Sequence, residues 1–143
     1  MKIIISKSPE ETIEYGKKIA ANLKIGDVVV LTGELGSGKT KLTEGILSFF
    51  GLENEISSPT YTIVNEYNTS NLKIFHFDVY RLEEPEEFLY IGGEEYFEKG
   101  ASIIEWGERI EEFLPNTYLK ITFARDVENE SIRILEIEKV LKK

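Results

Sequence analysis

The chain has 143 residues, enough for one domain and too few for two at the usual ~100–200 residues per domain, and a chain of this size buries roughly two-thirds of its unfolded surface. Apolar residues make up 41% and charged residues 30%, an ordinary globular balance that excludes disordered and fibrous classes. Lys and Arg total 17 against 26 Asp and Glu, which disfavours tight RNA or DNA binding by this chain alone, since that affinity comes mostly from basic contacts. The absence of cysteine removes disulfides, thiolate metal sites and thiol catalysis, and a single histidine, His76, removes any multi-histidine centre. The apolar run Ile3-Ile4-Ile5 is too short for a signal-peptide core, and no stretch approaches ~18 apolar residues. The expectation is a cytoplasmic protein with no membrane segment.

In chain order, 2–6 reads as a short strand. Ser8-Pro9-Glu10-Glu11 then supplies an N-cap, a first-turn proline and two early carboxylates for a helix to about residue 24, carried by Ile13, Ile19, Ala20 and Leu23. Gly26-Asp27 breaks it. Val28-Val29-Val30-Leu31 is a continuous β-branched run of the kind buried on both faces of a parallel sheet. A loop over 32–38 and a helix from 39 to about 50 complete a strand, glycine loop and helix, the βα unit of an α/β sheet. Strands over 61–67 and 73–80 flank the turn Asn68-Thr69-Ser70-Asn71 and suggest an antiparallel hairpin. Helices are expected over 83–90, 94–98 and 108–113, a buried strand over 102–106, and a second hairpin from strands over 118–124 and 132–138. No repeat, low-complexity segment or linker divides 1–143.

Gly33-Glu34-Leu35-Gly36-Ser37-Gly38-Lys39-Thr40 fits G-x-x-x-x-G-K-[ST] at every fixed position. Its glycines let backbone N–H groups turn inward at a helix N-terminus, where partial positive charge favours phosphate. Lys39 is placed to reach the β- and γ-phosphates and Thr40 to ligate Mg²⁺. The guanine-reading N-K-x-D pattern is absent, which favours ATP over GTP. Only four of the basic residues are arginine (Arg81, Arg109, Arg125, Arg133) and no Arg-rich lid is evident, which disfavours a stand-alone phosphotransferase.

Two carboxylates close apolar strands in the manner of a metal-side or water-orienting acid. Asp78 ends Phe75-His76-Phe77-Asp78, and Glu105 ends Ile103-Ile104-Glu105. The pattern does not separate their roles. Ser58-Pro59-Thr60 lies between the loop's helix and the next strand, where P-loop switch proteins carry a Thr that contacts the γ-phosphate and metal. His76 reads as a packed or hydrogen-bonded strand residue, and Trp106 as core, with ligand or partner packing as the alternative. The Glu83, Glu84, Glu86, Glu87, Glu94 and Glu95 stretch reads as a solvated helix face, or else as a docking surface for a basic partner.

G-E-L-G-S-G-K-T at 33–40, S-P-T-Y-T at 58–62, H-F-D-V-Y-R-L at 76–82 and I-E-W at 104–106 together resemble the bacterial TsaE family over essentially the whole chain. The resemblance implies a single α/β P-loop domain with a mixed sheet flanked by helices. It also implies an ATP- and Mg²⁺-dependent ATPase needed for N6-threonylcarbamoyladenosine in tRNA. Such a protein acts on the TsaB–TsaD complex and meets tRNA only through it. Carried over by position, Gly33, Gly36, Ser37, Gly38, Lys39 and Thr40 bind phosphates, and Thr40 and Glu105 belong to the Mg²⁺ site. Asp78 is a metal-side or catalytic carboxylate, Thr60 belongs to the switch-like segment, and Trp106 lies beside the site. Thr43 and Thr12 are candidates for the ribose or base side. Where many members carry Gly-Arg entering the last strand, this chain has Asn129-Glu130-Ser131 before Ile132-Arg133, with Arg133 the candidate substitute. A small-molecule kinase and a docking module that binds ATP without hydrolysing it are the competing readings.

Overall fold

The computed structural model describes residues 1–33, 38–55 and 63–142. Their strands are β1 (Lys2–Ser6), β2 (Val28–Gly33), β3 (Val64–Asn68), β4 (Lys73–Asp78), β5 (Ala101–Glu105), β6 (Thr117–Arg125) and β7 (Arg133–Leu141), joined in one sheet of order β1-β7-β6-β2-β5-β4-β3. The four central strands, β6, β2, β5 and β4, run parallel. Antiparallel pairs flank them: β4 with β3 on one side, β6 with β7 and β7 with β1 on the other. The mixed sheet expected from the sequence is therefore the one observed, as are both hairpins.

Burial follows from this order. β2 lies at the centre with both faces covered, so Val28, Val29, Val30 and Leu31 are all buried, and alternate residues feed two different cores. Val29 and Leu31 join Leu42, Ile46, Ile103 and Ile121 beneath α1 (Pro9–Ala20) and α2 (Lys39–Phe49). Val28 and Val30 join Phe75, Phe77, Phe88 and Ile110. The elements over this second core are α3 (Glu87–Tyr90), α4 (Gly93–Tyr96) and a 3-10 segment (Gly107–Phe113). No described helix is long and apolar enough to cross a membrane.

Several boundaries differ from expectation for local reasons. α1 stops at Ala20 because Asn22 and Leu23 close tighter i→i−3 turns onto Ile19 and Ala20. The carboxylate-led helix begins only at Glu87, since Pro85 disfavours helical geometry at Glu84. The strand ending in Trp106 stops one residue early, where Trp106 takes a left-handed φ of 66°. The helix expected over 108–113 is a 3-10 segment interrupted at Ile110. Residues 61 and 62 of the third predicted strand lie outside the described residues.

α1 and α2 meet backbone to backbone. A Cβ on Gly45 would lie 2.1 Å from the Ile13 carbonyl oxygen, and one on Gly16 would lie 2.4 Å from that of Leu42. Neither obstacle is a flexible side-chain end, so Gly45→Ala is expected to push the helices apart and cost about 2–4 kcal/mol, at or above the usual range for overpacking. Chemical denaturation of the variant checks this, and an unchanged midpoint would contradict the close packing.

Candidate nucleotide site

The C-terminal ends of β2, β4 and β5 converge beside the start of α2, the crevice position in which open α/β sheets bind ligands. Gly33 ends β2 at φ 126°, and a Cβ there would meet the Phe123 carbonyl oxygen at 2.5 Å, so glycine alone fits. Gly38 precedes α2 at φ 111° and no described side chain caps the helix. The first-turn N–H groups of α2 have no intrahelical acceptors, and the helix dipole adds partial positive charge.

Lys39 opens α2 and is only 4% exposed. Its Nζ donates to the Gly33 carbonyl at 2.8 Å and lies 3.9 Å from the centre of the Trp106 ring. Burial pushes the Lys39 pKa below its ordinary 10.5, while the negative charges of Glu105, Glu108 and Asp78 pull it back up. The result is a largely desolvated ammonium with spare donors, held between a backbone carbonyl and an aromatic face.

Trp106 reaches this position through an unusual backbone. Its left-handed φ is costly for a bulky residue, of order 1–3 kcal/mol, and its N–H is anchored to the Leu31 carbonyl at 3.0 Å. The ring also packs against Tyr80, centroids 4.8 Å apart. Gly107 permits the turn to press on the sheet, since a Cβ there would lie 2.6 Å from a Val30 methyl.

Strand register sets the acids side by side. Asp78 on β4 pairs with Glu105 on β5, which in turn pairs with Leu31 on β2. Asp78 Oδ1 accepts from the Tyr80 N–H at 3.0 Å. Glu105 Oε2 lies 2.6 Å from His76 Nε2, with side-chain exposures of 13% and 5%. His76 Nδ1 has no partner among the described residues, so the contact fits a ring with hydrogen on Nε2 donating to the carboxylate.

A cleft of about 570 Å³ gathers Thr12, Gly38, Lys39, Thr40 and Glu105 from the sequence-based set. Gly33 and Trp106 act behind it through Lys39, and Asp78 is the register neighbour of Glu105. Thr12 is 1% exposed and its hydroxyl bonds that of Ser6 at 2.6 Å. Thr43 requires a correction: it is 1% exposed, its hydroxyl donates to the Lys39 carbonyl at 3.1 Å inside α2, and it does not line the cleft. Gly36, Ser37 and Thr60 lie outside the described residues. Ser8, read from the sequence only as an N-cap, and Glu130 and Ser131, noted only where the chain departs from the family's Gly-Arg pair, line the cleft with Arg133. The N-cap signature of Ser8 was legible, but its place beside the cleft depends on how α1 packs. Volume alone does not select this cleft, because another of about 560 Å³ opens at the other end of β2 between α1 and the sheet. Of these two, only the first is lined by Gly38, the buried Lys39 and the strand-end acid Glu105.

Comparison with known proteins shows the family and the fold. A family model described as threonylcarbamoyl adenosine biosynthesis protein TsaE matches residues 6–134. The chain is 44% identical over 124 residues to the tRNA threonylcarbamoyladenosine biosynthesis protein TsaE of Bacillus subtilis (strain 168), covering 86% of this chain and 77% of that one. It is 38% identical over 136 residues to the protein of the same description in Rickettsia felis, covering 94% and 78%. A crystal structure of YdiB from Bacillus subtilis matches with a TM-score of 0.78 at 35% identity, over 98% of this chain and 85% of that one.

Proposed function

The chain belongs to the TsaE family of threonylcarbamoyl adenosine biosynthesis proteins, with the P-loop NTPase fold, and from that membership we propose that it binds Mg-ATP in the cleft at α2, hydrolyses it slowly alone, and drives turnover of the TsaB–TsaD complex that modifies tRNA. The observation that carries this is Lys39, which holds a buried ammonium, opens a helix N-terminus with no described side-chain cap and lines the same cleft as Glu105. A desolvated cation with no carboxylate among the described residues in hydrogen-bond contact is matched by a polyphosphate. The fit extends to the metal. The Thr40 hydroxyl and the Glu105 carboxylate are hard oxygen donors on the same cleft, and no group of three or more acids or histidines among the described residues forms a cage of its own. Mg²⁺ prefers such a site, taking one or two protein oxygens and completing its shell with phosphate and water.

When bound, Mg-ATP supplies a phosphoanhydride whose cleavage releases the free energy for remodelling a partner. The chain's own groups bind and orient. The N–H groups of Gly36, Ser37, Gly38 and the α2 first turn cradle phosphate, Lys39 neutralises the β- and γ-oxygens, and Thr40 with Glu105 holds the ion. Asp78 shares the metal side or orients water, Thr60 reports the γ-phosphate, and Thr12 borders the nucleoside. His76 fixes the Glu105 carboxylate in one orientation through the 2.6 Å contact. One domain in the cytoplasm with an acidic surface suits a protein that docks on protein and leaves tRNA to TsaB–TsaD.

Mg²⁺-dependent ATP turnover of the purified protein, with and without added TsaB–TsaD and with GTP for comparison, tests the reading. Slow turnover alone and a rise with the pair is the expected result. Unchanged turnover with the pair would overturn the coupling, and no ATP binding would overturn the site itself.

A further inference from the structure

Beyond Asp78 and Glu105 the paired strands β4 and β5 part, and each continues into a turn outside the sheet ladder. After β4, Val79 and Leu82 are buried in the second core while Tyr80 between them stays half exposed. After β5, Trp106 turns left-handed into the 3-10 segment, and the Arg109 N–H donates to the Trp106 carbonyl at 3.0 Å. The Val79 N–H donates to the Glu105 carbonyl at 3.3 Å where the two paths separate.

Past that point Arg109 joins them. Its Nη1 donates to the Tyr80 carbonyl and its Nη2 to the Leu82 carbonyl. A planar guanidinium fork can hold two acceptors at once, which the point charge of an ammonium does not. Arg109 forms no ion pair with a carboxylate among the described residues, so the fork is committed to main chain on the neighbouring turn. The residue it holds has two further contacts. The Tyr80 N–H donates to Asp78 Oδ1 at 3.0 Å, and the Tyr80 ring packs on Trp106, whose ring faces the Lys39 ammonium. Fixing Tyr80 therefore fixes the Asp78 carboxylate through the backbone and the Trp106 ring through its side chain. Glu105 is oriented by His76, and Asp78 has its corresponding support in Tyr80.

We propose that Arg109 is a positioning residue of the nucleotide site, clamping the turn after β4 to the turn after β5 so that Asp78 and the Trp106–Lys39 contact keep one geometry during turnover. Arg109 does not line the cleft and acts only through Tyr80. A reacting geometry is sensitive to displacements of about 1 Å, so a clamp outside the cleft bears on rate more than on binding. The inference rests on the Mg-ATP reading and adds to it a residue that neither the glycine loop nor the strand-end acids include.

Arg109→Met keeps the stem and removes both donors, and Arg109→Lys keeps the charge with a single point contact. In the methionine variant kcat for ATP should fall by about tenfold or more while ATP affinity, read by calorimetry, changes by less than about threefold. The lysine variant should lie between it and the wild type, and it carries the test alone should the methionine variant fail to fold. Trp106 is the single tryptophan, so acrylamide quenching of its fluorescence should rise in both variants. Lys142→Met is the structural control. It removes another tie to the same 3-10 segment, from Lys142 Nζ to the Glu111 and Leu114 carbonyls at 3.1 and 2.7 Å, without touching Tyr80. It should lower the denaturation midpoint and leave kcat and quenching as in the wild type. Wild-type turnover or unchanged quenching in the folded Arg109 variants, a loss of affinity as large as the loss of kcat, or an equal kcat loss in Lys142→Met would overturn the proposal alone. A wild type without ATP turnover would overturn the nucleotide reading and the clamp with it.

Discussion

Replacing Lys39 by methionine is expected to reduce ATP affinity by about 100-fold while leaving the fold intact. The side chain is 4% exposed and its ammonium sits over the Trp106 ring, so methionine keeps most of the packing while removing the charge and its hydrogen bond to the Gly33 carbonyl. Charge-assisted hydrogen bonds are worth about 1.5–3 kcal/mol each, so removing two such bonds to phosphate accounts for a hundredfold or more. Without the cation–π interaction the free protein is less stable by about 1–2 kcal/mol, and relief of a desolvated charge offsets part of that. Titration calorimetry separates the two effects from a denaturation curve. Arginine is not a substitute, because its planar fork does not fit a point contact between the Gly33 carbonyl and an aromatic face.

The same residue gives a pH signature whose sign is fixed by its pKa. Burial lowers the folded-state value below 10.5, so between the lowered value and 10.5 the unfolded chain binds more protons than the folded one. Stability of the free protein therefore rises with pH through that window and is lost as pH falls through the folded pKa. ATP affinity runs the other way, falling as Lys39 loses its proton. Both trends should disappear in Lys39→Met, and an affinity decline that persists there would assign it to another group.

Gly33, Gly38 and Lys39 were legible in the sequence because their chemistry is local: a strand end, a helix start and a cation at fixed spacing. The β-branched run of β2 and the acids at the ends of β4 and β5 were legible for the same reason. The contact between His76 and Glu105 joins residues 29 apart and exists only because β4 and β5 pair in a register that no local pattern specifies. Trp106 read as the end of a strand, since nothing in its own residue type announces a left-handed turn. What reveals the turn is Gly107 beneath it, packed onto Val30. Thr43, carried over by position from the resemblance, lies on the core side of α2, and position along a helix does not say which face the core claims. Gly16 and Gly45 carry no pattern that marks them in the sequence, and their role shows only where the two helices cross.

Glu105 allows the catalytic and structural uses of one carboxylate to be separated. Glu105→Gln keeps an oxygen that can accept from His76 Nε2 and keeps the side-chain shape, so stability should change by less than about 1 kcal/mol, while loss of charge on the metal side lowers turnover by about 10²–10⁴-fold. Glu105→Ala should lower turnover as far and also leave both His76 nitrogens without a partner at a site 5% exposed, costing a further 1–3 kcal/mol or so. Coupling to Lys39 supplies an independent readout. Glu105 is the strongest of the three acids holding the Lys39 pKa up, so its neutralisation should move the pH at which ATP affinity declines to a lower value. If the glutamine variant turned over ATP normally and lost as much stability as the alanine variant, the carboxylate would be a partner for His76 alone. The metal-side role would then fall to Asp78, whose neighbouring strand end is the remaining acid at the convergence of β4 and β5.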